Sequence, residues 1–196
     1  MRSISEQSTP ARIRDAAIRV FARDGYQATI RAIAAEADVA PGLVIHHFGS
    51  KDELRELCDA HVTTLLLDDK TQGAATIASI ADHFAGEDSP PLIDYVRRML
   101  NSDSAAATAL FDRLTEATRR MLRDQQAAGR IREDVDVEAL APLLTLYGLA
   151  PVAMPALLAR ATGRATVDAT ALEAASAAML PLLSGGLYSE PEQARG

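Results

Sequence analysis

Residues 30–54 read IRAIAAEADVAPGLVIHHFGSKDEL and contain two short helical patterns separated by a tight corner. The first pattern places four apolar residues at helical spacing, namely Ile30, Ile33, Ala34 and Ala37. It stops near Asp38, and Pro41 can open a second helix because proline is tolerated in the first helical turn. Two short helices joined by about three or four residues form a helix-turn-helix, whose second helix fits the major groove of DNA.

The segments on either side extend this motif into a helical bundle. Thr9 and Pro10 predict the start of a preceding helix, and Gly25 predicts its end. The apolar face of that helix consists of Ile13, Ala16, Ala17, Val20 and Phe21. Thr29 is the expected cap of the next helix, and Ser50 begins a capping box that opens a fourth helix.

The rest of the chain also favours helices. The hydrophobic share is 48%, aromatic residues make up only 4%, tryptophan is absent, and we find no run with the period of a strand. Further helices are expected near residues 72–85, 91–101, 105–128, 137–159 with interruptions, and 167–184. We predict an all-α fold of about nine helices, with an N-terminal three-helix helix-turn-helix bundle at 1–51 and a larger C-terminal helical domain at 52–196.

The formal net charge of −7 is unusual for a protein that binds nucleic acid. The two parts of the chain differ, however. Residues 1–51 carry seven Lys or Arg and five Asp or Glu, a net charge of +2, whereas residues 52–196 carry thirteen and twenty-two, a net charge of −9. The excess acid therefore lies outside the helix-turn-helix, although +2 is by itself weak support for DNA binding.

Cys58 is the only cysteine, which excludes an internal disulfide framework and favours a reducing compartment. Residues 1–10 are polar and lack the apolar core of a signal peptide, so we expect a cytoplasmic protein. Residues 139–159 are uncharged and long enough to span a membrane, but their three prolines and one glycine favour a buried or dimer-interface helix pair over a span.

Residues 12–54 resemble the DNA-binding segment of the TetR/AcrR family of transcriptional regulators, most specifically in the 30–54 sequence quoted above. In that family the first three helices bind DNA, and the C-terminal helices hold a small-molecule pocket and the dimer interface. The resemblance therefore implies that residues 1–51 bind DNA and that residues 52–196 bind an effector and dimerise. The usual mechanism in the family is repression, in which a homodimer binds a palindromic operator and is released by the effector.

The resemblance also implies roles for individual residues. Thr29 would cap the second helix and touch a phosphate, and Arg31 would reach a base edge. Lys51 would pair with phosphate at the start of the fourth helix. Pro41, Gly42 and Leu43 would form the start of the recognition helix. His46 and His47 would contact the groove and the DNA backbone.

The chain departs from the family pattern at three positions. Asp38 stands where glycine is usual, and it tolerates the left-handed backbone that the turn requires. Ala40 replaces the usual Ser or Thr cap, which removes a side-chain acceptor worth about 1 kcal/mol. Ile45 replaces a frequent tyrosine and so removes a hydroxyl group that could bind phosphate.

Simpler interpretations of these residues stay open. Arg31 could be a solvated charge, and Lys51 could belong only to a capped helix start. His46 and His47 point in different directions on a helix and have no further ligand at suitable spacing, so we expect no metal site. Cys58 fits a small buried hydrophobe. We find no catalytic or cofactor motif, and we therefore predict neither an enzyme nor a cofactor.

The C-terminal region suggests a pocket and an interface. A largely apolar pocket for a small apolar or aromatic effector could be lined by Tyr95, Met99, Phe111, Leu114, Tyr147 and Met154. Ordinary core packing is the alternative for each of them. Uncharged stretches at 139–159, 169–172 and 174–184 predict a homodimer, because a monomer of this size would have difficulty covering them fully. A helical small-molecule binding protein that keeps the motif without binding an operator is the alternative function.

Overall fold

The computed structural model describes residues 8–67 and 90–165, together with positions 172, 174, 175 and 177–179. These ranges contain eight helices and no strand, which confirms the all-α expectation for the described residues. The helices are α1 Thr9–Asp24, α2 Ile30–Glu36, α3 Pro41–Phe48, α4 Lys51–Leu67, α5 Pro90–Leu100, α6 Ala105–Ala127, α7 Val137–Ala153 and α8 Pro155–Ala161. Positions 172, 174, 175 and 177–179 are also helical. The helix expected at 72–85 and most of the one expected at 167–184 lie outside the described residues.

The first helix buries the face that its periodicity predicts. Five of its residues are fully buried, namely Ile13, Ala16, Ala17, Val20 and Phe21. Helix α1 begins one residue earlier than expected, since Thr9 is its first residue and Ser8 holds the capping position without a side-chain bond. Gly25 ends the helix with a φ of 82°, a backbone conformation that favours glycine.

One hydrophobic core joins the N-terminal helices to those that follow. Phe21 on α1 lies near Tyr26 and Tyr95, with ring centroids separated by 5.7 and 6.5 Å. The same cluster contains Leu54 on α4 and Met99 on α5, both fully buried. The N-terminal helices are therefore packed on α5 rather than tethered by a linker.

A second, smaller cluster lies between α6 and α7, where Leu122, Val137 and Ala141 are buried together. Helix α7 continues through Pro142 and Pro151, so the expected interruption occurs only after Ala153. Met154 leaves the helical conformation, with φ −133° and ψ 54°, because the residue before a proline is disfavoured in a helix. The chain divides into two compact units at this point, with α1–α7 in the first and α8 in the second.

In the described part of the chain, no single helix is long and apolar enough to cross a membrane; α7 and α8 reach that length and hydropathy only when they are taken together across the break at Met154.

Candidate nucleic-acid interface

The second helix begins with a side-chain cap. Thr29 has extended backbone angles, and its Oγ1 accepts a hydrogen bond from the Ala32 N–H over 3.2 Å. This bond satisfies one of the free N–H groups at the start of a helix. The expected capping role of Thr29 is confirmed and its side chain is exposed, whereas its phosphate contact stays a prediction.

The turn between α2 and α3 is held by backbone geometry and by one arginine. Asp38 has a φ of 54°, which confirms that an aspartate takes the left-handed position of this turn. The Val39 N–H then donates to the Ala34 carbonyl over 2.9 Å. Arg12 on α1 donates from Nη2 to the Ala37 carbonyl oxygen over 2.8 Å. A cation thus stabilises the end of α2 and fixes the corner from which α3 departs.

Helix α3 has one buried side and one open side. Val44 is fully buried, and Phe48 packs half-buried against the main core. Ala40 precedes the helix with extended angles but offers no side-chain cap, as its sequence implies. Leu43 is half-buried, and the exposed residues of the helix are Pro41, Gly42, Ile45, His46 and His47. A face of this kind is free to approach another molecule.

Ion pairs join α1 to α2, but they do not involve Arg31. Glu36 accepts from Arg19 at 2.9 Å and from Arg23 at 3.4 Å. The Arg19 guanidinium, followed by that of Arg23, lowers the pKa of the Glu36 carboxyl. Arg31 lies on the exposed side of α2 and has no ion-pair partner within the described ranges. Its positive charge is therefore not offset by a neighbouring carboxylate.

Lys51 has a contact that the sequence does not indicate. Its Nζ donates to the Tyr26 carbonyl oxygen over 2.9 Å, which ties the start of α4 to the loop between α1 and α2. Half of the expected capping box is confirmed, because Ser50 Oγ accepts from the Glu53 N–H over 3.1 Å. A cavity of about 150 Å³ opens beside Lys51 and is lined by Phe21, Tyr26, Gln27, Lys51, Asp52 and Arg55. The phosphate contact of Lys51 stays a prediction.

A buried polar network supports this loop from behind. Tyr95 donates from its hydroxyl group to Asp59 Oδ1 over 2.7 Å, and Asp59 Oδ2 lies 3.7 Å from Arg55 Nε. The guanidinium of Arg55 stacks on the Tyr26 ring at 3.8 Å from its centroid. Burial raises the pKa of Asp59 and raises that of Tyr26 to about 12. The network therefore connects α5, α4 and the loop that precedes α2.

Cys58 lies next to this network on α4 and is fully buried. Burial, followed by the charge of Asp59, raises the pKa of its thiol to about 12. A thiol that remains protonated is a poor nucleophile, so the expectation of a small buried hydrophobe is confirmed. Among the described residues, no group of three His, Cys, Asp or Glu side chains is arranged to hold a metal ion.

The residues expected to line an effector pocket occupy different environments. Tyr95, Met99 and Leu114 are buried in the main core, and Phe111 packs half-buried against it. Tyr147 is half-buried, while Met154 is 50% exposed at the break after α7. The hydroxyl group of Tyr95 is already bonded to Asp59. The assignment of these six residues to a pocket stays a prediction.

Sequence reasoning missed the residues that hold the motif in place. Arg12 caps α2 from 25 residues away, and Asp59 bonds Tyr95 from 36 residues away. Helical periodicity marks which side of a helix is buried, but it does not identify a partner on another helix. The polar residues Asp59 and Arg55, which occur at the i and i−4 positions of one helix face, are the only local signal of the network.

Two family models match the chain. The model described as "Bacterial regulatory proteins, tetR family" matches residues 13–58. The model described as "Tetracyclin repressor-like, C-terminal domain" matches residues 87–191. The first match contains α2, α3 and their turn, and the second contains α5 to α8.

Curated relatives and solved structures agree with these matches. The HTH-type transcriptional regulatory protein RaaS of Mycobacterium tuberculosis is 35% identical over 157 residues, which cover 76% of this chain and 71% of RaaS. The HTH-type transcriptional repressor AcnR of Corynebacterium jeikeium is 32% identical over 136 residues, which cover 64% of this chain and 70% of AcnR.

Among solved structures, the transcriptional regulator FadR from Bacillus subtilis in complex with stearoyl-CoA has a TM-score of 0.67 and 18% identity, covering 90% of this chain and 98% of FadR. The TetR family regulator PfmR from Thermus thermophilus has a TM-score of 0.65 and 22% identity, covering 94% of this chain and 100% of PfmR. Both likenesses indicate the same fold.

Proposed function

Because this chain belongs to the tetR family of bacterial regulatory proteins, we propose that it is a ligand-responsive transcriptional repressor that binds a palindromic operator as a homodimer. The observation that carries this proposal is the open side of α3, which begins at a corner fixed by Asp38 and Arg12. The protein would act in the cytoplasm, where chromosomal DNA is accessible, and would have no catalytic step.

In this proposal α3 enters the major groove with Val44 and Phe48 toward the protein and the exposed residues toward DNA. Arg31 approaches a base edge, since an unpaired guanidinium can donate two bonds to guanine. The starts of α2 and α4 bring free N–H groups and partial positive charge to the phosphates. The remaining contacts to groove and backbone come from Thr29, Pro41, Gly42, Leu43, His46, His47 and Lys51.

Dimerisation follows from apolar side chains that the monomer leaves in water. Leu143 and Leu146 on α7 are 62% and 55% exposed, and α7 carries no charged residue after Glu138. A second copy would cover such side chains at a two-fold interface. Two recognition helices related by that axis can read two half-sites about 34–36 Å apart, which makes the operator palindromic.

The effector in this proposal is a small apolar or aromatic molecule bound among α5, α6 and α7. Its site uses the residues expected from sequence on these three helices, namely Tyr95, Met99, Phe111, Leu114 and Tyr147. The similarly folded FadR is in complex with stearoyl-CoA, whose acyl chain is apolar, and this supports an effector with an apolar part. Binding would favour a conformer with misplaced recognition helices and would reduce operator affinity by a coupling of about 1–3 kcal/mol.

Selection of DNA from the source genome tests the proposal. Purified protein is mixed with genomic fragments, and the bound fragments are sequenced and used in mobility shifts with excess random competitor. We expect enrichment of a palindromic site, and genes beside it would suggest effectors for a thermal-shift panel. Random recovery of fragments would instead support a helical small-molecule binding protein that keeps the motif, an alternative favoured by the missing cap at Ala40 and the missing hydroxyl at Ile45.

A further inference from the structure

Helix α5 holds the ends of two other helices through side chains that lie close together. The last four carbonyl groups of a helix have no partner within the helix. Arg98 donates from Nε to the Ala22 carbonyl oxygen over 2.8 Å and from Nη2 to the Arg23 carbonyl oxygen over 3.0 Å. It thus satisfies two of these carbonyls at the end of α1 and places a cation at the negative end of the helix.

The same helix end depends on a glycine. A side chain at Gly25 would begin 3.3 Å from Arg98 Nη1, and the φ of 82° would strain any other residue. Gly25 also starts the loop that leads to Thr29, the cap of α2. Arg98 therefore lies against the point where α1 ends and the path to the DNA-binding corner begins.

The opposite contact of α5 is made with α7. Arg97 donates from Nε to the Val152 carbonyl oxygen over 3.1 Å. Asn101 donates from Nδ2 to the Ala153 carbonyl oxygen over 3.3 Å and to the Arg97 carbonyl oxygen over 2.8 Å. These bonds satisfy the last two carbonyls of α7, just before the chain breaks at Met154. Neighbouring residues on a helix point about 100° apart, so α5 can hold two helices at once.

We propose that Arg98 is a positioning residue for operator binding and that Arg97 and Asn101 link its hold on α1 to the end of α7. A displacement of the α7 end then moves α5, loosens the end of α1 and shifts the helices that meet DNA. This inference rests on the proposed function, because it describes how that function is regulated. Tyr95 strengthens the link, since its bond to Asp59 fixes α5 to α4 within the same turn of helix.

Hydrogen exchange and DNA binding of matched variants test the link without an effector. The variants are Arg98→Gln, Arg97→Gln, their combination and Arg98→Lys. The control is Arg120→Gln, which removes one exposed arginine of α6 that takes part in neither set of bonds. Amide exchange is followed at residues 25–29 and 148–153, and affinity is measured on a genome-selected duplex and on a scrambled duplex. Far-UV circular dichroism confirms that each variant is folded.

We expect Arg98→Gln to speed exchange at residues 25–29 and to weaken the selected duplex about five-fold or more, with little change on the scrambled one. Arg98→Lys keeps a donor, so its increase in exchange and its loss of affinity should both be smaller than those of Arg98→Gln. Arg97→Gln should speed exchange at residues 148–153 and also at residues 25–29, which Arg97 does not contact. In the combined variant, exchange at residues 25–29 should be no faster than in Arg98→Gln alone.

The inference is overturned if Arg98→Gln behaves like Arg120→Gln, or if Arg97→Gln changes exchange at 148–153 alone. Equal loss on both duplexes for Arg98→Gln would reduce its role to general stability and would also overturn it. If the wild-type chain prefers no duplex, the proposed function fails, and the exchange measurements still decide whether α5 links the two helix ends.

Discussion

Tyr95 donates a 2.7 Å hydrogen bond from its hydroxyl group to Oδ1 of Asp59, and both side chains are buried between α5 and α4. A buried carboxyl group is costly unless it is bonded, so this pair stabilises the junction between the DNA-binding helices and α5. Arg55 completes the arrangement with a 3.7 Å approach to the other carboxyl oxygen.

Replacing Tyr95 by phenylalanine should lower the free energy of unfolding by about 1–3 kcal/mol, because it leaves a buried acceptor with one bond fewer. Chemical denaturation at pH 7 measures the change. Tyr26→Phe is the control, since the Tyr26 hydroxyl is buried without a hydrogen-bond partner in the described residues. A loss for Tyr26→Phe as large as that for Tyr95→Phe would argue against the importance of the Asp59 bond.

The raised pKa of Asp59 should make stability depend on pH. Burial raises the pKa of this carboxyl in the folded chain above its ordinary value of 3.8, so the folded state binds the proton more tightly than the unfolded state. The free energy of unfolding should therefore fall as the pH rises from 3.8 to the raised pKa, and this contribution should stay constant above it.

Asp59→Asn isolates that contribution, because other carboxyl groups, such as Glu36, have the opposite shift. The difference in unfolding free energy between wild type and Asp59→Asn should decrease with pH across the same window. Denaturation curves at intervals from pH 3.5 to pH 7 would measure it, and a difference that increases with pH would contradict a raised pKa.

Ala40→Ser should stabilise the chain by about 1 kcal/mol, since Ala40 already has the extended backbone angles of a helix cap and lacks only the oxygen. Thermal unfolding would detect this as a higher Tm. Ala35→Ser serves as control, because Ala35 is exposed inside α2, where serine is a weaker helix former than alanine. If both substitutions lower the Tm, the cap of α3 is not limiting.

The sequence was informative where structure is local. The helical period identified the buried face of α1, and the residue type of Thr29 identified the cap of α2, whereas the left-handed position of Asp38 was implied by the resemblance to the family. Each of these depends on residues within about one turn of one another, so a single sequence contains the information. The expected family is confirmed by family models that match residues 13–58 and 87–191.

Contacts between distant segments could not be predicted in this way. The bond from Arg98 to the Ala22 carbonyl joins residues 76 apart, and its acceptor is a main-chain atom that no residue type marks. Tyr95 has the apolar ring and hydroxyl group expected of a pocket residue, yet the partner of its hydroxyl is Asp59 on another helix. Such pairs follow from how helices pack, which periodicity alone leaves undetermined.

Arg31 and Lys51 should contact different parts of the DNA at the proposed interface. Arg31→Ala should cost about 1–3 kcal/mol per half-site on the operator and less on random DNA, because it removes a base contact. Lys51→Ala should weaken both duplexes by similar factors and reduce the salt slope by about one unit per half-site.

Isotherms at several salt concentrations on operator and scrambled duplexes separate these outcomes. Lys51 also bonds the Tyr26 carbonyl, so Lys51→Arg, which keeps the charge, serves as its control. Equal losses on both duplexes for Arg31→Ala would make Arg31 a backbone contact.

The exposed leucines of α7 should form the contact between two copies of the chain. Light scattering at micromolar concentration should give about twice the chain mass of 20.9 kDa. Leu146→Glu should shift the protein toward monomer, because it puts a charge into an apolar interface. Ala109→Glu, on the exposed side of α6, should remain dimeric. A monomeric wild-type protein would contradict an interface formed by α7.

The affinity ratio between a genome-selected duplex and a scrambled duplex of the same length shows whether the chain recognises an operator through α3. It is measured by fluorescence anisotropy at physiological salt, with the wild-type protein in both titrations. A specific regulator should bind the selected duplex about a thousand-fold more tightly or better, with two chains per site. Equal affinities for the two duplexes would contradict operator recognition by α3.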